Sequence, residues 1–293
     1  MKYSVTTSQA MHYFGEEKAF EVIKRSGFDY CDYGYTCSAY GYSPNSLYSK
    51  SEKDFCEVFG RHLSYAKATG VLIGQTHAPF PTYPESRNED ELRYMIEALK
   101  KCVLATAILE SPYMVIHAAM PHSWAGETDW DATRKINYDI FAEILNEAQK
   151  HGVTVALENM PLARIPTGMP EQLCEYIDMM DSPYMVGCLD TGHANITGIA
   201  PGEFARKLGS RLKVLHIHDN LGLNPHCEGW SDMHTAPYQG NIDWADFSCA
   251  LREIGYDGTL SFETDTFLAR QTKESFPVAL RYLRELIETI EKL

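Results

Sequence analysis

The sequence lacks any uninterrupted apolar run of the roughly 18–20 residues that a membrane-spanning helix needs, so no transmembrane segment is expected. Its eight cysteines include no CxxC pair and no zinc-finger spacing, and in a chain of 293 residues we expect them to be reduced and mostly buried. No secretory leader is evident, because the first residues, Met-Lys-Tyr-Ser-Val-Thr-Thr, are typical of a β-strand. A cytoplasmic location is therefore expected.

Basic residues are fewer than acidic residues. The chain has 26 Lys and Arg residues against 40 Asp and Glu residues, a formal net charge of −14, and residues 219–242 contain no Lys or Arg. This balance disfavours nucleic acid and anionic membranes as partners, because both are bound through basic patches. No GxGxxG follows the first predicted strand, and GxxxxGK followed by Ser or Thr occurs nowhere. Dinucleotide-binding and P-loop folds therefore lose their usual support.

What the sequence does contain is a repeated unit, in which a short β-rich run is followed by a polar loop and an amphipathic helix. The unit occurs eight times, with strands predicted at about 3–7, 28–32, 71–75, 113–117, 153–157, 185–189, 212–217 and 259–263. Apolar strands that alternate with helices are typical of a parallel sheet covered by helices. Eight such units in a chain of this length favour a closed (β/α)8 TIM barrel, an α/β fold formed as a single domain by residues 1–293.

Acidic or imidazole side chains end six successive predicted strands. They are His77, His117, Glu158, Asp190 (with His193 three residues later), His216 and Glu263. In TIM barrels the active-site residues lie at this carboxyl end of the strands. Because burying so many uncompensated polar groups is costly, a divalent cation is the simplest compensation. Four of the side chains form a mixed oxygen and nitrogen set suited to Mn²⁺, Mg²⁺, Co²⁺ or Zn²⁺, namely Glu158, Asp190, His216 and Glu263.

Five short motifs follow one another along the second half of the chain. They are LEN (157–159), LDTGH (189–193), LHIHD (215–219), GNIDW (240–244) and GYDGTLSFE (255–263). Together they resemble the xylose-isomerase-like TIM barrels, and the similarity extends over essentially the whole chain. That superfamily includes sugar phosphate isomerases and epimerases, ketose 3-epimerases, inosose dehydratases and metal-dependent apurinic endonucleases.

The resemblance to the epimerases implies a metal-dependent isomerase or epimerase with a sugar or sugar phosphate as its partner. One ion of Mn, Zn, Co or Mg would be held by Glu158, Asp190, His216 and Glu263. Glu158 and Glu263 would also face opposite sides of a bound ketose and transfer the proton, while His193 would hydrogen-bond the substrate oxygen beside the metal. The metal would acidify the C–H next to the carbonyl and stabilise the enediolate. Relatives of this type are commonly homodimers or homotetramers.

The resemblance to the endonucleases implies an alternative, a phosphodiesterase with more than one zinc ion. Its additional metal positions are filled here by residues of the right type, which are His77, His117, His193, Asp232 and His234. The acidic balance and the Arg-free loop favour the sugar enzyme, because binding to a DNA backbone relies on Lys and Arg. The same loop argues against a strict ketose 3-epimerase, in which an Arg follows the strand-seven His. A third alternative is a metal-binding barrel that has lost catalysis.

Several other residues carry weaker expectations. A phosphorylated sugar would need a cationic clamp, and Arg164 and Arg270 are the nearby candidates. An apolar wall against the sugar ring could come from loop aromatics, which are Tyr33, Tyr35, Tyr40, Tyr42, Phe80 and Trp124. His218 is expected to point away from the barrel interior, and Asp219 to orient a ligand. Asp32 either reaches the site or caps the loop that follows it.

Overall fold

The computed structural model describes residues 2–34, 47–84, 87–121, 129–223 and 232–293. Eight strands alternate with helices along the chain, as the sequence predicts. The strands are β1 (Lys2–Val5), β2 (Tyr30–Gly34), β3 (Leu72–His77), β4 (Tyr113–Ile116), β5 (Thr154–Glu158), β6 (Met185–Asp190), β7 (Leu212–His216) and β8 (Thr259–Phe262). All pairings between these strands are parallel, and β2 to β7 form one six-stranded sheet in chain order, while β1 pairs with β8.

Backbone hydrogen bonds just beyond the strand ends join the two sheets into a ring. On one side the Thr7 amide donates to the Asp32 carbonyl at 2.9 Å, which links β1 to β2. On the other side the Ile217 amide donates to Ser261 at 2.7 Å and the Glu263 amide donates to Ile217 at 3.1 Å, which links β7 to β8. The predicted TIM barrel is therefore confirmed.

Helices surround this ring. They are α1 (Ser8–Phe14), α2 (Glu16–Arg25), α3 (Glu52–Thr69), α4 (Glu89–Ile108), α5 (Trp130–His151), α6 (Pro170–Asp178), α7 (Thr191–Thr197), α8 (Pro201–Leu208), α9 (Trp244–Glu253), α10 (Asp265–Ala269) and α11 (Phe276–Lys292). Short polar side chains cap the amino-terminal ends of several helices. Asn88, for example, accepts hydrogen bonds from backbone amides in the first turn of α4. Gly70 and Gly152 end α3 and α5 in the left-handed conformation that glycine favours.

The main core lies between the strands and these helices. Its largest fully buried side chains are mostly aromatic and include Phe20, Phe55, Phe59, Phe141, Phe204, Phe247 and Phe276. A second, smaller cluster of Val115, Ala156, Cys188 and Val214 lies on β4 to β7. Because side chains two apart on a strand share a face, this cluster lies one layer below the residues that end those strands. The barrel interior thus has an apolar layer beneath the predicted site.

Two remaining expectations can be compared with the structure. No helix among the described residues is long and apolar enough to cross a membrane. The six described cysteines are all free thiols, but Cys56, Cys174 and Cys249 are only partly buried, so the expectation that most cysteines are buried holds for half of them. Cys37 and Cys227 lie outside the described residues.

Candidate functional site

The four side chains predicted as a metal-binding set converge at the carboxyl end of the barrel. Glu158, Asp190 and His216 end β5, β6 and β7, and Glu263 follows β8 directly. One ligand atom from each lies within 4.8 Å of those of the other three. The His216 Nδ1 atom is 3.3 Å from Glu158 Oε1 and 3.3 Å from Glu263 Oε2. The first three side chains are buried and Glu263 is nearly so, which leaves only a small opening toward solvent.

A second group lies beside Glu158. The Nε2 atoms of His77 and His117 are 3.3 Å and 3.0 Å from Glu158 Oε2, and their rings meet edge to face. Glu158 therefore belongs to both groups, with Oε1 toward His216 and Oε2 toward the two histidines. The structure brings together all three of these predicted residues.

A third group forms where the loop after β7 returns to the barrel mouth. The Oδ2 atom of Asp232 is 3.2 Å from the Nε2 atom of His193 and 3.2 Å from that of His234. His218 completes this group, since its ring stacks on His234 at 3.9 Å and its Nε2 atom is 2.9 Å from Asp190 Oδ1. The predicted residues Asp232 and His234 thus lie at the site, together with a histidine that was not predicted there.

The expectation that His218 points away from the barrel interior is wrong. Residues two apart on an extended chain share a face, so His218 lies on the same side as His216. Its ring packs directly over the first turn of α7, where a Cβ atom added to Gly192 would lie 2.0 Å from His218 Cε1. This contact explains why the LDTGH motif needs glycine at its fourth position. The spacing of two residues was the signal that could have identified His218.

Asp190 is followed directly by a helical segment. This segment is the helix α7, and the Asp190 carboxylate caps it by accepting a hydrogen bond from the His193 amide at 2.7 Å. The cap directs His193 back across the mouth, where its Nδ1 atom lies 2.7 Å from the carbonyl oxygen of Asn159. Asp190 therefore both contributes to the first group and fixes the direction of His193.

Three histidines share one orientation. The Nδ1 atoms of His77, His193 and His234 lie 2.7 to 2.9 Å from the backbone carbonyls of Ala78, Asn159 and Glu263, respectively. A carbonyl oxygen only accepts, so each Nδ1 atom donates and each Nε2 atom turns toward the carboxylates. Metal-binding histidines in proteins show this arrangement almost always, because the outer hydrogen bond fixes the ring and its tautomer.

Several buried polar atoms at the mouth accept or donate no hydrogen bond within the described part of the chain. They are Glu158 Oε1, Glu263 Oε2, Asp232 Oδ1, His117 Nδ1 and His218 Nδ1. Unsatisfied buried groups of this kind are rare and each costs about 1–3 kcal/mol. Most are carboxylate oxygens, and the donor set around them consists of oxygen and imidazole nitrogen. The residues present therefore fit a divalent cation.

The two glutamates of the first group differ in acidity. Burial tends to raise the pKa of Glu158, but the neighbouring charges of His216 and His117 outweigh it and hold that pKa well below its ordinary value. Burial raises the pKa of Glu263 to about 7. At His234 the hydrogen bond with Asp232 and the charges of Glu263 and Asp232 outweigh burial and raise the pKa to about 10. The mouth thus holds two carboxyl groups with different proton affinities, both close to the same nitrogen of His216.

A cavity of about 170 Å³ opens on these groups. Its lining consists of Phe80, His117, Glu158, Met160, Pro161, His193, Asp232, His234 and Glu263. One wall is apolar, and no described residue of the lining is a Lys or Arg. Arg164 and Arg270, the predicted candidates for a phosphate clamp, are exposed and lie outside this lining. A larger cavity of about 330 Å³ lies at the amino end of the strands and contains none of the predicted groups.

Of the predicted aromatic wall, Phe80 lines the cavity and its ring meets His117 at 5.0 Å. Tyr33 does not, because its hydroxyl lies 2.5 Å from His62 Nδ1 between the strands and the helices. Tyr35, Tyr40, Tyr42 and Trp124 lie outside the described residues.

Asp219 has a different role from the predicted one. Its buried carboxylate accepts hydrogen bonds from the amides of Asn220 and Tyr238 and from the Trp244 indole nitrogen. None of these partners belongs to the three groups. Asp219 therefore organises the loop that returns Asp232 and His234 to the mouth, rather than orienting a ligand directly.

The sequence matches the family described as the xylose isomerase-like TIM barrel over residues 20–286, and the chain belongs to this family. The uncharacterized protein MJ1311 of Methanocaldococcus jannaschii is 32% identical, over 74% of this chain and 73% of that protein. The inosose isomerase of Bacillus velezensis is 22% identical, over 83% of this chain and 81% of that protein. The crystal structure of a D-tagatose 3-epimerase-like protein aligns with a TM-score of 0.75 at 24% identity, covering 100% of this chain and 99% of that one.

Proposed function

We propose that this protein is a metal-dependent isomerase or epimerase that moves a proton next to the carbonyl of a polyhydroxylated ketone. The observation that carries the proposal is the pair of carboxylates, Glu158 and Glu263, which line one small cavity and both lie 3.3 Å from His216 Nδ1. Isomerisation and epimerisation both require a proton to leave one carbon and return to the same or a neighbouring carbon. Two carboxylates facing one substrate provide an acceptor and a donor for this transfer.

The cation would be held by the first group, Glu158, Asp190, His216 and Glu263. When bound, it would supply polarisation of the carbonyl and of the adjacent hydroxyl, which acidifies the C–H between them. In the proposed reaction one of the two glutamates accepts the proton from carbon, and that glutamate or its partner returns one. His193 lines the same cavity, and in its protonated form, with Nδ1 already donating to Asn159, it would donate a hydrogen bond from Nε2 to a substrate oxygen. The apolar side chains of Phe80, Met160 and Pro161 would cover the C–H face of the substrate.

The relatives support this reaction class. Inosose and tagatose, the compounds in the names of two similar proteins, are both polyhydroxylated ketones. Interconverting their isomers or epimers requires proton transfer beside a carbonyl. In this chain Glu158 and Glu263, which line one cavity, would accept and return the proton in such a reaction.

Within that class we propose an unphosphorylated substrate. The first and third groups place four carboxylates at the mouth, and no described residue lining the cavity is a Lys or Arg. The segments that the structure does not describe, 35–46, 85–86, 122–128 and 224–231, also contain no Lys or Arg. A phosphate ester would therefore bring further negative charge toward carboxylates without the Lys or Arg side chains that phosphate recognition commonly uses.

Isotope exchange tests the proposal directly. Protein loaded with Mn²⁺ is incubated in D₂O with a panel of free ketoses and ketocyclitols, and each is paired with a phosphate ester where one exists. We expect deuterium to enter the carbon beside the carbonyl of at least one free ketone, and its phosphate ester to react more slowly. Metal-loaded protein that exchanges no member of a broad panel would contradict the proposed reaction. Faster exchange of the esters would contradict only the unphosphorylated substrate.

A second candidate, the phosphodiesterase with more than one zinc ion, is favoured by the three adjacent groups. His77 and His117 with Glu158, the four-residue set, and the Asp232 group each have ligand atoms close enough to hold an ion. A cluster of three cations would also reverse the charge of the mouth and favour a phosphate. Elemental analysis of protein loaded with zinc and cleavage of DNA containing an abasic site distinguish the candidates. One bound ion and intact DNA would exclude the phosphodiesterase.

A further inference from the structure

Asp32 lies one layer below the site and contacts one side chain of the site, that of His216. It is on β2, is only 1% exposed, and does not line the cavity. Its Oδ2 atom accepts a hydrogen bond from Gln75 Nε2 at 2.7 Å and lies 3.0 Å from His216 Nε2. The Ser261 hydroxyl approaches the same oxygen at 3.5 Å. Asp32 therefore touches one member of the proposed cation set from behind.

An irregularity in the sheet brings Asp32 to this position. Cys31 pairs with Ile73, but Asp32 pairs with Gln75, so β3 contains one additional residue, Gly74, at this point. Bulges of this type redirect side chains, and here the bulge places Asp32 level with Gln75. The backbone of Asp32 is fixed as well, because its carbonyl accepts a hydrogen bond from the Thr7 amide at 2.9 Å. The carboxylate is thus held firmly toward His216.

The contact determines which nitrogen of His216 faces the site. A carboxylate oxygen accepts, so His216 donates its Nε2 proton to Asp32. In neutral His216 the Nδ1 atom then carries the lone pair, and this is the atom that faces Glu158 and Glu263 at 3.3 Å. The other tautomer would point an N–H group at the centre of the set. His216 is also oriented differently from His77, His193 and His234, whose outer nitrogens donate to backbone carbonyls.

We propose that Asp32 is the positioning residue that fixes the tautomer and ring orientation of His216 for cation binding through Nδ1. The inference rests on the cation site of the proposed function, but it does not depend on the identity of the substrate. The negative charge of Asp32 increases the basicity of the imidazole in the same way as carboxylates behind other metal-bound histidines. One oxygen of Asp32, Oδ1, forms no hydrogen bond with the described residues, so its charge is not fully compensated by neighbouring dipoles.

Two substitutions at Asp32 test this role in the full-length protein. Asp32→Asn keeps the shape and an acceptor oxygen but removes the charge, whereas Asp32→Leu removes the acceptor and keeps the number and branching of side-chain heavy atoms. We expect affinity for Mn²⁺ and Zn²⁺, measured by competition with a chelating indicator, to fall about 10-fold in the first variant and about 100-fold in the second. Ser261→Ala is the matched control, because it removes another buried polar group beside Asp32 while leaving the Asp32–His216 pair in place, and it should bind both metals as wild type does.

A spectroscopic measurement separates positioning from a purely structural effect. In zinc-loaded protein labelled with ¹⁵N-histidine, the His216 Nε2 proton should give a downfield resonance. That resonance should persist in Ser261→Ala and disappear in Asp32→Leu. Wild-type metal affinity in folded Asp32→Asn, or an unchanged resonance in Asp32→Leu, would overturn the inference alone. Wild-type protein that binds no cation at this site would overturn the proposed function together with it.

Discussion

Two layers of side chains fill the carboxyl half of the barrel, and the same strands supply both. Each of β4 to β7 contributes an apolar side chain to the lower layer and, two residues later, a polar one to the upper layer. The pairs are Val115 and His117, Ala156 and Glu158, Cys188 and Asp190, and Val214 and His216. The lower members pack against one another, whereas the upper members include buried atoms without hydrogen bonds.

The two layers therefore differ in what completes them. The lower layer is complete without a ligand, because apolar side chains need only close packing. The upper layer keeps negative charge and unsatisfied oxygens in a buried place, and a bound cation would remove that cost. Carboxylates on the helical shell differ again, since Glu143 on α5 is paired with Arg93 and Lys100 of α4. Side chains two residues apart on one strand thus differ in role: the lower one stabilises the fold, and the upper one belongs to the proposed site.

The largest predicted effect comes from the upper layer. In Glu158→Gln, the residue that links the first two groups can no longer accept a proton. We expect deuterium exchange into the substrate to fall about 10³-fold, within the range for loss of a general base. Stability should fall as well, because His117 and His216, whose charges lower the pKa of Glu158, lose their charged partner. The readouts are initial exchange rates and urea denaturation. Glu143→Gln is the control and should exchange at the wild-type rate; equal rates for both variants would remove Glu158 from the mechanism.

Removing the metal should lower the stability of the protein through the upper layer, which holds the proposed cation set. A cation that binds only the folded protein adds about 2.7 kcal/mol to the free energy of unfolding when its concentration is 100 times its dissociation constant. We expect EDTA to lower the melting temperature of wild type measurably and to leave Asp190→Asn almost unchanged, since that variant has lost one ligand of the set. The assay is thermal unfolding with and without chelator. An equal response from both proteins would mean that the cation binds elsewhere.

The lower layer should show the opposite behaviour. Val214→Ala removes two methyl groups from the apolar cluster and should lower the free energy of unfolding by about 2 kcal/mol, because a cavity remains. The position of His216, two residues further along, should be preserved. Denaturant titration measures the loss, and the exchange rate per folded molecule should stay at the wild-type value. A large fall in that rate would show that the layers are coupled rather than independent.

Much of this arrangement is predictable from the sequence, for reasons that are local. A strand that ends in Glu158, or a helix that ends before Gly70, is marked by residues within a few positions. In a parallel barrel, all strand ends meet on one rim, so Glu158, Asp190 and Glu263 could be placed together without a structure. The metal-binding groups predicted from strand ends are the ones that converge. Their role as ligands stays a prediction.

What the sequence did not predict depends on contacts between distant segments. Asp32 reaches His216 only because of the bulge at Gly74, and a bulge has no reliable local signature. The helix α7 begins at Thr191, directly after its capping residue Asp190, and the LDTGH motif did not indicate a helix there. Asp232 and His234 were predicted at the site from the family resemblance and not from hydrophobic periodicity, and the hydrogen bonds of Asp219 with Tyr238 and Trp244 were not predicted. The misassigned orientation of His218, by contrast, was available from the two-residue period.

The smallest predicted effect concerns the paired carboxylate on the shell. Its hydrogen bond to Lys100 and the nearby Arg93 lower the pKa of Glu143 in the folded protein, so the ion pairs stabilise the fold at neutral pH and lose that effect as the pH falls through the lowered pKa. Because the group is partly exposed, Glu143→Gln should cost only about 0.5 kcal/mol at pH 7. The cost, measured by urea denaturation across pH 3–7, should shrink toward zero at the acid end. Glu285→Gln, on the exposed face of α11 and without an ion pair to a described residue, should show no such trend. A cost that is independent of pH would mean that Glu143 stabilises the fold through packing. Compensation by ion pairs would then not distinguish the carboxylates of the helical shell from those of the upper layer.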